Sequence, residues 1–112
     1  MTHDDMPVIM YKTLACLYDC MNRGVDPQRS MLSHDGSMLS IPYRYWARIV
    51  AELAGRGYVT GFTATKDIAG GPIVDIRNPE ITFEGVEFLQ ENSAMRRALE
   101  FLKDAKSALP FL

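Results

Sequence analysis

Residues 42–76 decide the fold, and they read PYRYWARIVAELAGRGYVTGFTATKDIAGGPIVDI. The first part of this stretch predicts an amphipathic helix that Pro42 opens. When each residue advances the helix by 100°, the apolar side chains within about 60° of Trp46 are Ile49, Val50 and Leu53. The opposite side of the same helix carries Arg44 and Arg48. We therefore expect Trp46 in the core and the two arginines in solvent.

The residues that follow this helix predict a β-hairpin. Gly55-Arg56-Gly57 closes the helix, and residues 58–63 and 72–76 have the β-branched and aromatic composition of strands. Residues 64–71 lie between them and end in a Gly-Gly pair, which is typical of a loose hairpin tip. We expect Asn78-Pro79 to end the hairpin.

Two helices are predicted upstream of this stretch. In residues 7–22, apolar residues recur at intervals of three and four, and Asn22-Arg23-Gly24 is a helix stop. Cys16 and Cys20 lie four residues apart, which favours two buried free thiols on one helical face. Asp26-Pro27 has the pattern of a cap followed by proline at the first helical position, so a short second helix is expected over residues 27–32.

Two further helices are predicted downstream. Thr82 suits the N-cap of a helix over residues 83–91, whose inward side chains are expected to be Phe83, Val86 and Leu89. Gly85 is costly in a helix, so we expect it to allow close backbone packing. Asn92-Ser93 is expected to cap a last helix over residues 94–108.

The composition restricts the class of protein. The chain has 112 residues, 47% of them apolar and 23% charged, which fits one folded domain and argues against disorder. No apolar run is long enough for a membrane helix, and the acidic start of the chain is unlike a signal peptide. Together with two free cysteines, these features predict a cytoplasmic protein. The formal net charge of −2 excludes a bulk polycation.

Three helices followed by a two-stranded ribbon have the order of a winged helix-turn-helix, in which the hairpin is the wing. The predicted class is α+β, a winged helix-turn-helix with additional C-terminal helices. We expect a single domain over residues 1–112, with a core at about 7–77 and a helical extension at about 81–109.

Two segments of the chain carry a resemblance to a known family. They read RIVAELAGRGYV at residues 48–59 and ITFEGVEFLQENS at residues 81–93, and Met95, residues 102–106 and Pro110 continue the match. From Tyr11 onward the chain resembles the YjcQ-like family, small winged-helix proteins of Gram-positive bacteria and their phages. The resemblance implies the fold and brings no catalytic or binding residue with it.

One face of the predicted fold is a candidate surface for double-stranded DNA. Between residues 28 and 66 the chain has five basic and two acidic residues, an excess of three. In a DNA-binding winged helix the third helix enters the major groove, while residues on the second helix and wing touch phosphates. The candidate DNA-binding residues are Tyr43, Arg44, Tyr45, Arg48, Arg29 and Lys66. The alternative interpretation is an ordinary solvated face, with the tyrosines half-buried against the wing.

A second surface is acidic. Glu84, Glu87 and Glu91 form a stripe on the predicted fourth helix, without the histidine or aspartate that a metal or acid–base site would add. We expect no enzymatic activity, no metal and no cofactor. The rival to a phage or prophage transcriptional regulator is a protein-binding module that uses this stripe, such as a phage-encoded inhibitor of a host or defence protein. The last helix carries an apolar line that would form either a homodimer interface or a face packed on its own domain: Met95, Leu99, Leu102 and Leu109.

Overall fold

The computed structural model describes residues 5–92, which form four helices and one two-stranded antiparallel sheet. The elements in chain order are α1 (Met6–Arg23), α2 (Arg29–Leu32), α3 (Tyr43–Gly55), β1 (Val59–Lys66), β2 (Pro72–Ile81) and α4 (Phe83–Glu91). The α+β class is confirmed, and the order is compatible with a winged helix. The predicted helix over residues 94–108, and with it the expected interface residues Met95, Leu99, Leu102 and Leu109, lies outside the described residues.

Helix α1 is the centre of the core. Its predicted bounds are right to within one residue, with Pro7 in the first turn and Gly24 as a left-handed C-cap at φ 68°. Cys16 and Cys20 are both free and buried, as expected. Burial raises the pKa of the Cys16 thiol to about 12, with a smaller contribution from Cys20. Cys16 is therefore a protonated core residue near neutral pH and no nucleophile.

The short second helix begins later than its capping signal predicted. Asp26-Pro27 does not open it; α2 starts at Arg29, and the residue at its N-cap, Gln28, makes no side-chain capping bond. The connection that follows is tied to α2 by its backbone, because Ser37 N–H donates to the Ser30 carbonyl at 2.9 Å. Only Leu32 of α2 is buried.

Helix α3 has the predicted phase. Trp46 is 6% exposed and Leu53 fully buried, and the buried face of the helix also includes Ala47, Ile49 and Val50. The Trp46 indole N–H donates to the Leu32 carbonyl at 2.9 Å, so the tryptophan joins α3 to the end of α2. The predicted outward residues Arg44 and Arg48 are both exposed.

Both strands are longer than predicted. Strand β1 runs on to Lys66, so the tip is shorter than the expected loop, and β2 continues through Asn78-Pro79 to Ile81. A bulge accommodates these residues, because β1 has one residue and β2 has three between the pairs Thr60–Glu80 and Phe62–Ile76. Gly61 faces the bulge at φ 84°, and a Cβ there would lie 2.7 Å from the Asn78 carbonyl oxygen.

Helix α4 has the predicted bounds and the predicted cap. The Thr82 hydroxyl accepts from Gly85 N–H at 3.1 Å and donates to the Gly57 carbonyl, which fixes the start of the helix to the end of α3. Gly85 packs closely as expected, because a Cβ there would collide with the Tyr58 carbonyl oxygen. Leu89 is buried and Val86 half-buried, but the expectation that Phe83 points inward is wrong: its side chain is 73% exposed.

Candidate nucleic-acid interface

The exposed face of α3 carries the candidate arginines. Trp46 and Leu53 lock the opposite face into the core, so the rotation of the helix is set by packing. Arg44 and Arg48, four residues apart, consequently lie one turn from each other on the outer side. The structure therefore brings these two predicted residues together on one surface.

Arg48 belongs to a three-residue ion cluster on this face. Its guanidinium donates to Glu52 Oε1 at 2.8 Å, and Arg56 donates to Glu52 Oε2 at 2.6 Å. The hydrogen bond from Arg48, and to a smaller extent that from Arg56, lowers the pKa of the Glu52 carboxyl. The bond to Glu52 in turn raises the pKa of Arg56. The cluster keeps one net positive charge at neutral pH. Arg56 was missing from the sequence-based site, although its spacing of four from Glu52 is a signal for the pair.

Arg44 and Lys66 differ from Arg48 in their surroundings. Both side chains are exposed, and among residues 5–92 neither forms an ion pair with a carboxylate. Their charges are consequently not neutralised by a neighbouring acidic side chain. Lys66 is the last residue of β1, at the edge of the hairpin tip.

The two candidate tyrosines have different roles. Tyr43 lies against the hairpin, where its hydroxyl accepts from Val74 N–H at 3.1 Å, and its ring centre is 5.5 Å from that of Trp46. It is 37% exposed. Tyr45 is half-buried and packs against the core. Tyr43 thus sits at the outer face and holds α3 to the hairpin, whereas Tyr45 is partly enclosed.

Arg29 links α2 to the same strand. Its Nη2 donates to the Ile76 carbonyl oxygen at 2.8 Å. Backbone groups two residues apart on a strand point to the same side, so the Val74 N–H and the Ile76 carbonyl both lie on the edge of β2 away from β1. Tyr43 and Arg29 therefore cover one open edge of the sheet and hold α2, α3 and the hairpin together. The carbonyl is a neutral acceptor, so Arg29 keeps its charge.

The acidic stripe occupies a different part of the surface. Glu84, Glu87 and Glu91 are all exposed on α4, and within the described residues none of them pairs with a basic side chain. The exposed Phe83 lies at the start of the same helix. Between residues 5 and 92, no three His, Cys, Asp or Glu side chains group closely enough to hold a metal ion. No helix in that range is long and apolar enough to cross a membrane.

Comparison with known proteins gives one match. The family model described as YjcQ protein matches residues 11–108. No curated protein and no solved structure matches the chain. The matched range includes all of α2, α3, α4 and both strands.

Proposed function

Since the chain belongs to the YjcQ family, and since its helices and hairpin follow the order of a winged helix, we propose that it binds double-stranded DNA as a transcriptional regulator of a phage or prophage. In this proposal α3 enters the major groove and presents Arg44 and Arg48, with Tyr43 beside them. The hairpin lies across the adjacent backbone, where Lys66 meets phosphate.

The observation that carries the proposal is the cationic outer face of α3. Arg44 has no ion-pair partner among residues 5–92, and the Arg48–Glu52–Arg56 cluster adds one net positive charge beside it. Phosphate contacts supply most of the affinity of non-specific DNA binding, so unneutralised cations on one helix favour this ligand. Arginine also pairs with guanine edges in the major groove.

A salt titration of duplex binding tests the proposal. We expect fluorescence anisotropy to detect binding of the full chain to a random duplex at low salt. The double variant Arg44→Ala/Arg48→Ala removes two charge-assisted contacts, so the log–log salt slope falls by about two units. A contact to guanine would add a loss of about 1–3 kcal/mol on the preferred sequence only.

Arg23→Ala is the matched control. Arg23 is an exposed arginine that pairs with Asp19 at 2.9 Å at the end of α1, so its loss removes one positive charge from another surface. We expect a much smaller change in slope for this variant. Failure of the wild-type chain to bind any duplex at tens of micromolar contradicts the proposal, since non-specific binders reach about that range.

The second candidate function is protein binding through α4. The observation that favours it is the exposed Phe83 beside the acidic stripe of Glu84, Glu87 and Glu91, because an apolar anchor with charged neighbours is typical of a binding surface. In a pull-down, Glu84→Lys/Glu87→Lys then abolishes partner capture while Arg44→Ala/Arg48→Ala retains it. Loss of duplex binding in Arg44→Ala/Arg48→Ala, with duplex binding retained in Glu84→Lys/Glu87→Lys, supports the first function.

Dimerisation through Met95, Leu99, Leu102 and Leu109 remains part of the proposal, because two-fold symmetric regulators read two half-sites. Leu99→Glu is then expected to sediment as a folded monomer. A wild-type chain that is monomeric at high concentration contradicts this part alone.

A further inference from the structure

The two edges of the sheet differ in how their backbone groups are used. On the outer edge of β2, the Val74 N–H donates to the Tyr43 hydroxyl. The Ile76 carbonyl on the same edge accepts from Arg29, and Pro72 at the start of the strand has no N–H. Side chains and a proline therefore close this edge to a further strand, and both are devices that keep sheets from pairing edge to edge.

Within residues 5–92, nothing covers the outer edge of β1. The Val74 N–H points away from β1, so its pairing partner Ala64 points its own N–H and C=O away from β2. The same holds two positions to either side, at Phe62 and Lys66. No residue of the described range bonds to these outward backbone groups. The edge thus offers a row of donors and acceptors that fits another extended strand.

The exposed part of this edge lacks the features that usually prevent pairing. Residues 63–66 are all exposed, and only the last of them, Lys66, is charged. Threonine is favoured in strands, and no proline occurs in β1. Gly61, with its left-handed φ of 84°, ends the straight part of the strand before Phe62. The usable edge consequently runs from Phe62 to Lys66.

This edge is complementary to itself. When two copies of β1 run antiparallel with Ala64 opposite Ala64, Phe62 of each copy lies opposite Lys66 of the other. All three outward residues of both strands are then paired, in a ladder of about six backbone hydrogen bonds. A register shifted in either direction places an end of the ladder against the turn or beyond the kink at Gly61.

The side chains also suit this register. Thr63 of one copy lies opposite Thr65 of the other on both sides of the two-fold axis, and such cross-strand threonine pairs stabilise antiparallel sheets. The two Lys66 residues are about four residues apart along the strands, or roughly 14 Å, so like charges do not oppose each other. The pairing is symmetric, as in most homo-oligomers.

We propose that two copies of the chain pair through the outer edges of β1 and join their hairpins into one four-stranded antiparallel sheet. This contact goes beyond the proposed function, because it needs no DNA. A strand of five residues is only about 17 Å long, so the contact buries less than the roughly 800 Å² per partner of a standard interface. We expect a dissociation constant on the order of millimolar, which suits chains already held close together. Sedimentation of Leu99→Glu at micromolar concentration does not populate this contact.

Cysteine cross-linking of the full chain tests the contact and its register. The two Ala64 Cα atoms are then about 5.5 Å apart, a separation that a disulfide spans. Ala64→Cys should therefore form a covalent dimer under mild oxidation with copper–phenanthroline. Lys66→Cys is the matched control on the same strand, and its separation of roughly 14 Å should make cross-linking at least about tenfold slower. The natural thiols Cys16 and Cys20 are buried and add no background.

Amide hydrogen exchange, followed by NMR, is a second readout that needs no added cysteine. The N–H groups of Thr63 and Thr65 are bonded to β2 at any protein concentration, whereas that of Ala64 points outward. About half of the chains are paired when the concentration equals the dissociation constant. Between about 10 μM and about 1 mM protein, exchange at Ala64 should therefore slow by about twofold, with Thr63 and Thr65 unchanged.

Ala64→Pro separates edge pairing from folding. The proline removes only an outward N–H, so the ladder between β1 and β2 keeps its hydrogen bonds. We expect a folded chain in which exchange at the outward N–H of Lys66 no longer depends on concentration. Ala64→Lys is the second variant in case the proline disturbs the hairpin, because it places like charges opposite each other on the axis and should have the same result.

Three outcomes would overturn the proposal. The first is equal cross-linking of Ala64→Cys and Lys66→Cys. The second is self-association that survives both Ala64→Pro and Ala64→Lys, since another surface must then cause it. The third is an Ala64 N–H with the same exchange rate at both concentrations; if that N–H is already protected at the lower one, a segment of the same chain within residues 93–112 covers the edge instead. A failure of DNA binding leaves the proposal standing, because every measurement is made without a duplex.

Discussion

Trp46 fixes α3 to the core with the chain's one indole, whereas Gly85 fixes α4 there by having no side chain. The indole packs in the core and donates to the Leu32 carbonyl at 2.9 Å. At Gly85 the backbone of α4 approaches so closely that an added Cβ would lie 2.7 Å from Ile81 Cγ1. The two helices are thus positioned by opposite means. Trp46 fills space between α3 and the core, whereas Gly85 lets the backbone of α4 approach its neighbours closely.

The outer faces of the same two helices also differ. Helix α3 presents arginines, and α4 presents glutamates beside the exposed Phe83. The inward residues decide where each helix lies, and the outward residues decide what each can bind. Because the inward and outward residues lie on opposite faces of each helix, stability and binding can be tested by separate substitutions.

The largest expected effect is that of Trp46→Ala. It removes a buried aromatic side chain and leaves a cavity, so the free energy of unfolding should fall by about 3–5 kcal/mol in a denaturant melt. It also leaves the Leu32 carbonyl without its donor. A loss below about 1 kcal/mol would contradict the conclusion that Trp46 holds α3 in the core.

Gly85→Ala should have the next largest effect, because it adds atoms to a filled space whereas Trp46→Ala removes them. The added methyl group meets the Tyr58 carbonyl and Ile81, so overpacking should cost about 1–3 kcal/mol. Gly55→Ala is the control on α3, because nothing lies within 4 Å of a Cβ at that position. Its better helix propensity should raise stability by up to about 1 kcal/mol. Equal effects of the two variants in thermal melts would contradict the close approach of α4.

Glu52→Gln sharpens the comparison on the outer side of α3. It releases Arg48 and Arg56 from their shared carboxylate and adds one net positive charge to the face. If this face meets phosphate, affinity for duplex DNA at low salt should rise several-fold and the log–log salt slope should steepen by about one unit. Glu84→Gln makes the same change of charge on α4 and should affect duplex binding less. An anisotropy titration in which both variants behave alike would argue against α3 as the contact.

The smallest expected effect is the pH dependence of the same cluster. The pKa of Glu52 is lowered in the folded protein from its ordinary value of 4.5 by the hydrogen bonds from Arg48 and Arg56. A carboxyl with a lowered folded pKa stabilises the fold above its unfolded pKa, and this contribution is lost as the pH falls through the folded value. Because both arginine partners are exposed, solvent screens the ion pairs and the effect should be small. It is measured as the difference between acid-side stability profiles of the wild type and Glu52→Gln, and parallel profiles would contradict it.

Local patterns predicted the elements well where neighbours in the chain supply the signal. The apolar face of α3 was predicted from intervals of three and four residues around Trp46, and the Thr82 cap gave the start of α4. Asp26-Pro27 failed as a start signal because the chain stays extended at Gln28, with ψ 138°, before α2 begins. Asn78-Pro79 failed as a stop because the bulge opposite Gly61 lets β2 continue to Ile81.

The position of Phe83 shows how packing overrides a local pattern. Two residues advance a helix by about 200°, so a helix with Gly85 turned to Tyr58 must turn Phe83 outward. The apolar character of Phe83 alone predicted the opposite. The close approach at Gly85 was predictable from the cost of a glycine in a helix, but the direction of that approach was not.

The sequence by itself determined the helices, the hairpin, the inward face of α3 and the charges on its outer face, because spacing along the chain fixes which side chains share a side of one element. Only the tertiary structure decided what the candidate residues touch. Tyr43 meets Val74 across 31 residues and Arg29 meets Ile76 across 47. Contacts between residues so far apart depend on how whole elements pack, and no periodicity within one element carries that information.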